Sequence, residues 1–106
     1  MQNFSNSFEA EIVEKLKPLK PLKIILFGSY AYGTPNSDSD IDICVVNKEI
    51  DSKSKVKKEI REKLKDFFIA KDILVPTLDE YEFYKNQYGS VFMDIDQKGK
   101  LLWSAI

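Results

Sequence analysis

The stretch Ile24-Ile25-Leu26-Phe27 constrains this chain most: it is short, contains no polar residue and is stopped by Gly28-Ser29. A strand with one face in water alternates apolar and polar side chains, whereas a strand covered on both faces need not. The run therefore predicts a strand inside a sheet, with other elements packed above and below it. A second strand is expected over Asp40 to Val46, where the apolar run Ile41 to Val46 is interrupted only by Asp42.

Around these runs the period changes from two to about four. Ser7 to Lys17 places Phe8, Ile12, Val13 and Leu16 on one helical face, and Pro18 ends it. Ser52 to Phe68 repeats the pattern with Val56, Ile60, Leu64 and Phe67 or Phe68, which predicts the longest helix. Ala70 to Val75 reads as a third strand stopped by Pro76. Thr77 opens another helix with Asp79 and Glu80 in its first turn, where carboxylates favour the helix dipole, and Gly89 is expected to end it. Val91 to Gln97 fits a short helix or a strand; helix is preferred, with Gly99 turning the chain into a last strand at Leu101 to Trp103. Gly33 to Ser39, rich in small and polar residues, reads as a loop. Strands and helices in this order argue for an α/β or α+β fold, a central sheet flanked by helices. With 106 residues, 43% of them hydrophobic, the chain can bury one core, so residues 1–106 are expected to form a single domain.

Composition removes several kinds of chemistry. The chain has no histidine, which excludes Ser-His-Asp and Cys-His catalysis and imidazole-bound zinc. Its single cysteine, Cys44, supports neither a disulfide framework nor a thiolate metal site and is expected to be a small core residue. No run of about 18 apolar residues and no basic-then-apolar leader is present, so a cytoplasmic protein with no membrane partner is expected. The 17 acidic and 16 basic residues nearly cancel, which argues against direct nucleic-acid binding by the molecule as a whole. Carboxylates, hydroxyls, lysines and bound cations remain.

The carboxylates form a pattern. Residues two apart in a strand project from one face, so Asp40 and Asp42 are expected to stand side by side while Ile41 and Ile43 enter the core. Their separation along the strand is roughly 6.6 Å, at which two like charges repel by about 2.5 kcal/mol at an effective dielectric of 20. The nearest preceding residues are Ser37, Asp38 and Ser39, and the nearest following charge is Lys48, so no basic partner is close in sequence. A divalent cation is the simplest counterion; Mg2+ suits carboxylate, water and phosphate oxygens. Upstream, Gly28-Ser29 ends a strand and Tyr30-Ala31-Tyr32 can form a helical turn, a junction that directs free N–H groups outward and lets a phosphate approach the main chain. Alone, a glycine-serine pair after a strand is usually only a turn. Ser39 could also reach a phosphate.

Gly28-Ser29, ten intervening residues and then Asp40-Ile41-Asp42 resembles the signature of the polymerase-β-like nucleotidyltransferase superfamily. Gly28 to Gly33 followed by Ser39-Asp40-Ile41-Asp42 looks most like its minimal nucleotidyltransferase branch. The resemblance implies a nucleotidyltransferase fold and a third carboxylate on a neighbouring strand, for which Asp72 in Lys71-Asp72-Ile73-Leu74-Val75 is favoured over Asp94 and Asp96. A surface pairing of Asp72 with Lys71 is the plain alternative. It further implies ATP as nucleotide donor and Mg2+ held by Asp40, Asp42 and Asp72. Asp72 would bind a second ion or accept a proton, and Gly28 and Ser29 would position the phosphates. The implied role is that of an antitoxin adenylylating a tyrosine on a HEPN-domain ribonuclease toxin. The family often has a basic residue where this chain has Tyr32, which leaves less positive charge for the departing phosphates.

Two rival functions follow from the same residues: a binding module that covers its partner while the site is idle, and nucleotidyl transfer to a small molecule such as an aminoglycoside. Leftover exposed aromatic surface would favour the first, and the shortage of pocket wall in so small a chain weighs against the second. Lys53, Lys55, Lys57, Lys58, Arg61, Lys63 and Lys65 are expected to form an ion-paired helix face with Glu59, Glu62 and Asp66. Tyr81, Phe83, Tyr84 and Tyr88 are expected to serve packing.

Overall fold

The computed structural model describes residues 7–33 and 39–106; the anticipated loop therefore falls mostly outside the described residues, as does the Tyr32 side chain. In chain order the elements are α1 (Ser7–Leu16), a 3-10 turn (Lys17–Leu19), β1 (Lys23–Phe27), α2 (Ser29–Tyr32), β2 (Ile41–Val46), α3 (Lys53–Lys63), β3 (Lys71–Leu74), α4 (Leu78–Tyr84), α5 (Val91–Lys98) and β4 (Lys100–Ser104). The four strands form one mixed sheet in the order β3-β2-β1-β4. β1 is antiparallel to both its neighbours, whereas β2 and β3 run parallel. Parallel neighbours need a crossover, and α3 supplies it.

As the unbroken apolar run of β1 required, that strand lies in the interior of the sheet with apolar layers on both sides, and β2 lies there beside it. On one face Ile24, Ile43, Val45, Ile73 and Val75 pack against Ile12 and Leu16 of α1 and Ile60 and Leu64 of α3. On the other, Ile25, Cys44 and Val46 pack against Tyr81 of α4 and Ile95 of α5. Successive strand residues alternate between these layers. The amphipathic helices use the apolar stripes read from sequence.

Side-chain caps fix where the later helices begin. Ser52 accepts from Lys55 N at 3.3 Å, and Ser90 from Met93 N at 3.1 Å. Thr77 and Glu80 form a reciprocal capping box with bonds of 2.9 and 3.1 Å. The ambiguous stretch after Ser90 is a helix, as preferred.

Two helices end well before the sequence reading placed their ends. α3 stops at Lys63 rather than Phe68: Lys65 N and Phe67 N bond three residues back, to Glu62 O and Leu64 O, which tightens the chain into turns. Those turns seat Leu64 in the core and bring Phe67 against Phe8. α4 ends at Tyr84, not Gly89; Ser90 Oγ donates to Tyr84 O and so satisfies a terminal carbonyl of α4 while capping α5. Gly89, at φ 84°, serves the connection between the two helices.

Candidate active site

Strand register brings together carboxylates that are 30 residues apart in the chain. Asp42 of β2 pairs with Phe27 on one side and with Asp72 of β3 on the other. Directly paired residues share a face. Asp42 precedes Cys44 by two, and Asp72 precedes Leu74 by two, so both carboxylates lie on the α4 and α5 side, where the second apolar layer ends. Asp42 is half-buried and Asp72 exposed. Asp40 stands just ahead of β2, exposed and outside the strand that was expected to begin with it.

Asp42 is the electrostatic centre of this group. Burial first, then the charge of Asp72, then that of Asp40 hold its carboxyl above the usual range. That order follows from geometry, since adjacent strands lie about 4.8 Å apart while residues two apart along a strand are separated by about 6.6 Å. The closest like charge is therefore the one across the ladder, not the one two positions back. Among the described residues no lysine or arginine forms an ion pair with Asp40, Asp42 or Asp72. Lys71, the plain alternative partner for Asp72, instead donates to the carbonyls of Phe67 and Ile69 at 2.6 and 2.8 Å. The competing carboxylates, Asp94 and Asp96, lie on α5, and Asp96 accepts the Tyr81 hydroxyl at 3.0 Å.

Gly28 borders the same spot. Its φ of 75° and ψ of −158° fall in a region open essentially to glycine alone. A Cβ there would overlap Asp42 Oδ2 and lie 2.9 Å from Asp42 Cγ. The glycine thus makes room for the carboxylate itself, a role distinct from the phosphate approach read from sequence. Ser29 opens α2, whose geometry is set by Ala31 N bonding Gly28 O at 2.9 Å and Gly33 N bonding Ser29 O at 3.0 Å. No side chain caps this turn. Ser39 is half-buried immediately before Asp40.

An aromatic row missed by the sequence reading links the two sides of the site. Phe8 of α1 stacks on Tyr30 at 5.5 Å and meets Phe67 edge-on at 5.3 Å. One ring thereby touches both α2 and the connection leading to Asp72. The only signal was the place of Phe8 on the apolar stripe of α1, which gives burial but not partners.

The donor chemistry fits a hard divalent cation: carboxylates with no ion-pair partner among the described residues, one of them held above the usual range by burial and by its acidic neighbours. Among the described residues, however, no three carboxylates converge into a ready-made metal cage.

The basic stretch and the later aromatics differ in detail from the expectation. The basic stretch of α3 is paired less than expected: Lys65 bonds Glu62, but Lys53 reaches Glu80 on α4 and Asp66 pairs with Lys15. Of the later aromatics only Tyr81 is buried, while Phe83, Tyr84 and Tyr88 remain exposed. Cys44 is fully buried, as anticipated.

A family profile described as the nucleotidyltransferase domain matches residues 9–96. No curated protein matches the chain. Two solved structures are similar. A toxin–antitoxin structure with AMP-PNP aligns at a TM-score of 0.66 and 27% identity, covering 91% of this chain and 73% of that one. A mutant of the toxin–antitoxin MntA-HpeT, in which two aspartates two positions apart are replaced by glutamate, aligns at a TM-score of 0.65 and 25% identity with the same coverage.

Proposed function

The chain belongs to the nucleotidyltransferase domain family, and from that premise we propose that it transfers AMP from ATP to a hydroxyl, that of a tyrosine, on a HEPN-domain ribonuclease toxin and so acts as the antitoxin. The observation that carries the enzymatic part is the register pair Asp42–Asp72, with Asp40 beside it and, among the described residues, no ion pair to any of the three. The toxin–antitoxin setting and the adenine nucleotide are supported by the similar structures, one of which holds AMP-PNP. The HEPN class and the tyrosine come from the family resemblance.

Asp40, Asp42 and Asp72 would hold Mg2+. When bound, the cation would neutralise charge on the triphosphate and polarise its phosphoryl oxygens. Gly28 and Ser29 would orient the phosphates through main-chain N–H groups and the Ser29 hydroxyl, with Ser39 as a further phosphate contact. The acceptor oxygen bonds to the α-phosphorus as the bond to the bridging oxygen breaks and pyrophosphate leaves. Asp72, exposed at the edge of the group, would take the acceptor's proton or complete the cation's ligands. The test is the intact mass of the toxin after incubation with ATP, Mg2+ and the chain: a gain of one adenylyl group with wild type and none with Asp42→Asn is expected. Full modification by Asp42→Asn would remove the catalytic assignment.

A second reading, neutralisation by covering the toxin with the site idle, is favoured by the aromatic surface around Tyr88, which is 97% exposed, and Phe83, 59% exposed. Neutralisation that survives loss of Asp40, Asp42 and Asp72 together would decide for it.

A further inference from the structure

The connection from α3 to β3 holds an aromatic ring out into solvent. Phe68 is 96% exposed, while Phe67 before it packs against the core and Ile69 after it is half-buried. The backbone around Phe68 is fastened on both sides. Lys71 Nζ donates to the carbonyls of Phe67 and Ile69, the residues flanking it, at 2.6 and 2.8 Å. One residue further, Ala70 O accepts from Ile41 N at 2.8 Å, which ties the end of the connection to β2. Phe67 is also wedged against Phe8. An apolar ring on a fixed backbone is the form binding anchors take, because little ordering remains to be done on contact.

Its location says what would cover it. Phe68 precedes Asp72 by four residues, so their Cα atoms lie at most roughly 14 Å apart even on a fully extended chain. A standard protein interface covers about 800 Å² on each partner, equivalent to a disc of about 16 Å radius. An interface of that size centred on Asp72 is wide enough to reach Phe68. Arg61, on α3 seven residues before Phe68, is exposed and makes no ion pair among the described residues. We propose that Phe68 is the docking anchor for the acceptor protein, its ring entering an apolar pocket of that protein while Arg61 faces an acidic side chain beside the pocket.

This anchor rests on the reading above that the acceptor is a protein, here the HEPN-domain toxin, and steady-state adenylylation of that toxin tests it. With Phe68→Ala the KM for the toxin should rise about tenfold or more, with kcat at saturating toxin within twofold and affinity for Mg2+-AMP-PNP within twofold. Phe68→Leu, which keeps most of the apolar area, should restore most of the KM. An unchanged KM in Phe68→Ala would overturn the anchor and leave the transferase reading standing. Weakened AMP-PNP binding would overturn it in favour of base stacking, and a wild-type dimer in sedimentation that Phe68→Ala abolishes would overturn it in favour of a second copy. Failure of wild type to modify the toxin at all would remove both readings together.

Discussion

Gly28 and Asp42 share one volume: the carboxylate of Asp42 lies where a side chain on Gly28 would begin. Gly28→Ala would displace that carboxylate and place alanine in a backbone region costing about 1–3 kcal/mol. A displacement of 1 Å at a reacting centre costs about 100-fold in rate. The variant is therefore expected to lose about 100-fold or more in adenylylation, read by toxin mass, and about 1–3 kcal/mol in denaturant melting. Wild-type activity in a folded Gly28→Ala protein would show that the carboxylate has no fixed place.

The Asp42 carboxyl predicts how stability depends on pH. Its folded value is raised by burial, Asp72 and Asp40. A raised acid contributes stability that is fully present below the unfolded value, about 3.9, and is lost as pH climbs through the folded value. At pH 7 the charged Asp42 thus weakens the metal-free fold. In chelator, Asp42→Asn should melt above wild type at pH 7, by no more than a few degrees because solvent screens the half-buried group. The gap should close on acidification below pH about 4. A gap that widens in acid would contradict the sign. Asp72→Asn should also move the Asp42 carboxyl downward in a carbon-detected NMR titration.

Much of this arrangement could be read in the chain, and the part that could not has a physical cause. Ile24 to Phe27 announced an interior strand because a continuous apolar run needs cover on both faces, and Asp40 to Val46 announced a second strand. The caps Ser52, Thr77 and Ser90 stand where a helix start requires an acceptor. Register is different: the pairing of Asp42 with Asp72 depends on how β3 slides along β2, which no local pattern encodes. The same holds for the early end of α3, where helical spacing continues through Leu64 and Phe67 but tertiary contacts to Phe8 bend the chain. Asp40 illustrates the limit of the alternation rule, since it stops one residue short of the strand it was expected to open.

A cation should bind weakly until a nucleotide joins it. No carboxylate cage is formed among the described residues, and phosphate oxygens would supply the missing ligands. Calorimetric titration of Mg2+ should show affinity at least about tenfold higher with AMP-PNP present than without it. Equal affinity in both, or full retention in Asp42→Asn, would place the cation elsewhere.

Cys44 should be inert despite lying two residues from Asp42. It is fully buried, and burial pushes its thiol up to about 12. The thiolate is the reactive form. At pH 8 iodoacetamide should leave the folded chain unlabelled and modify it only on unfolding, read by intact mass. Rapid labelling under native conditions would mean that the sheet opens beneath α4 and α5.

The aromatic row of Tyr30, Phe8 and Phe67 puts α1 in an unexpected position. That helix offers no ligand and no acid to the reaction, yet its one phenyl group is the keystone between the turn that begins at Ser29 and the connection that leads into Asp72. If it were withdrawn, each wall could drift without the other. Chemical accuracy in this molecule is thus entrusted to a bystander, and changes far from any reacting atom can blunt the enzyme without touching its acids.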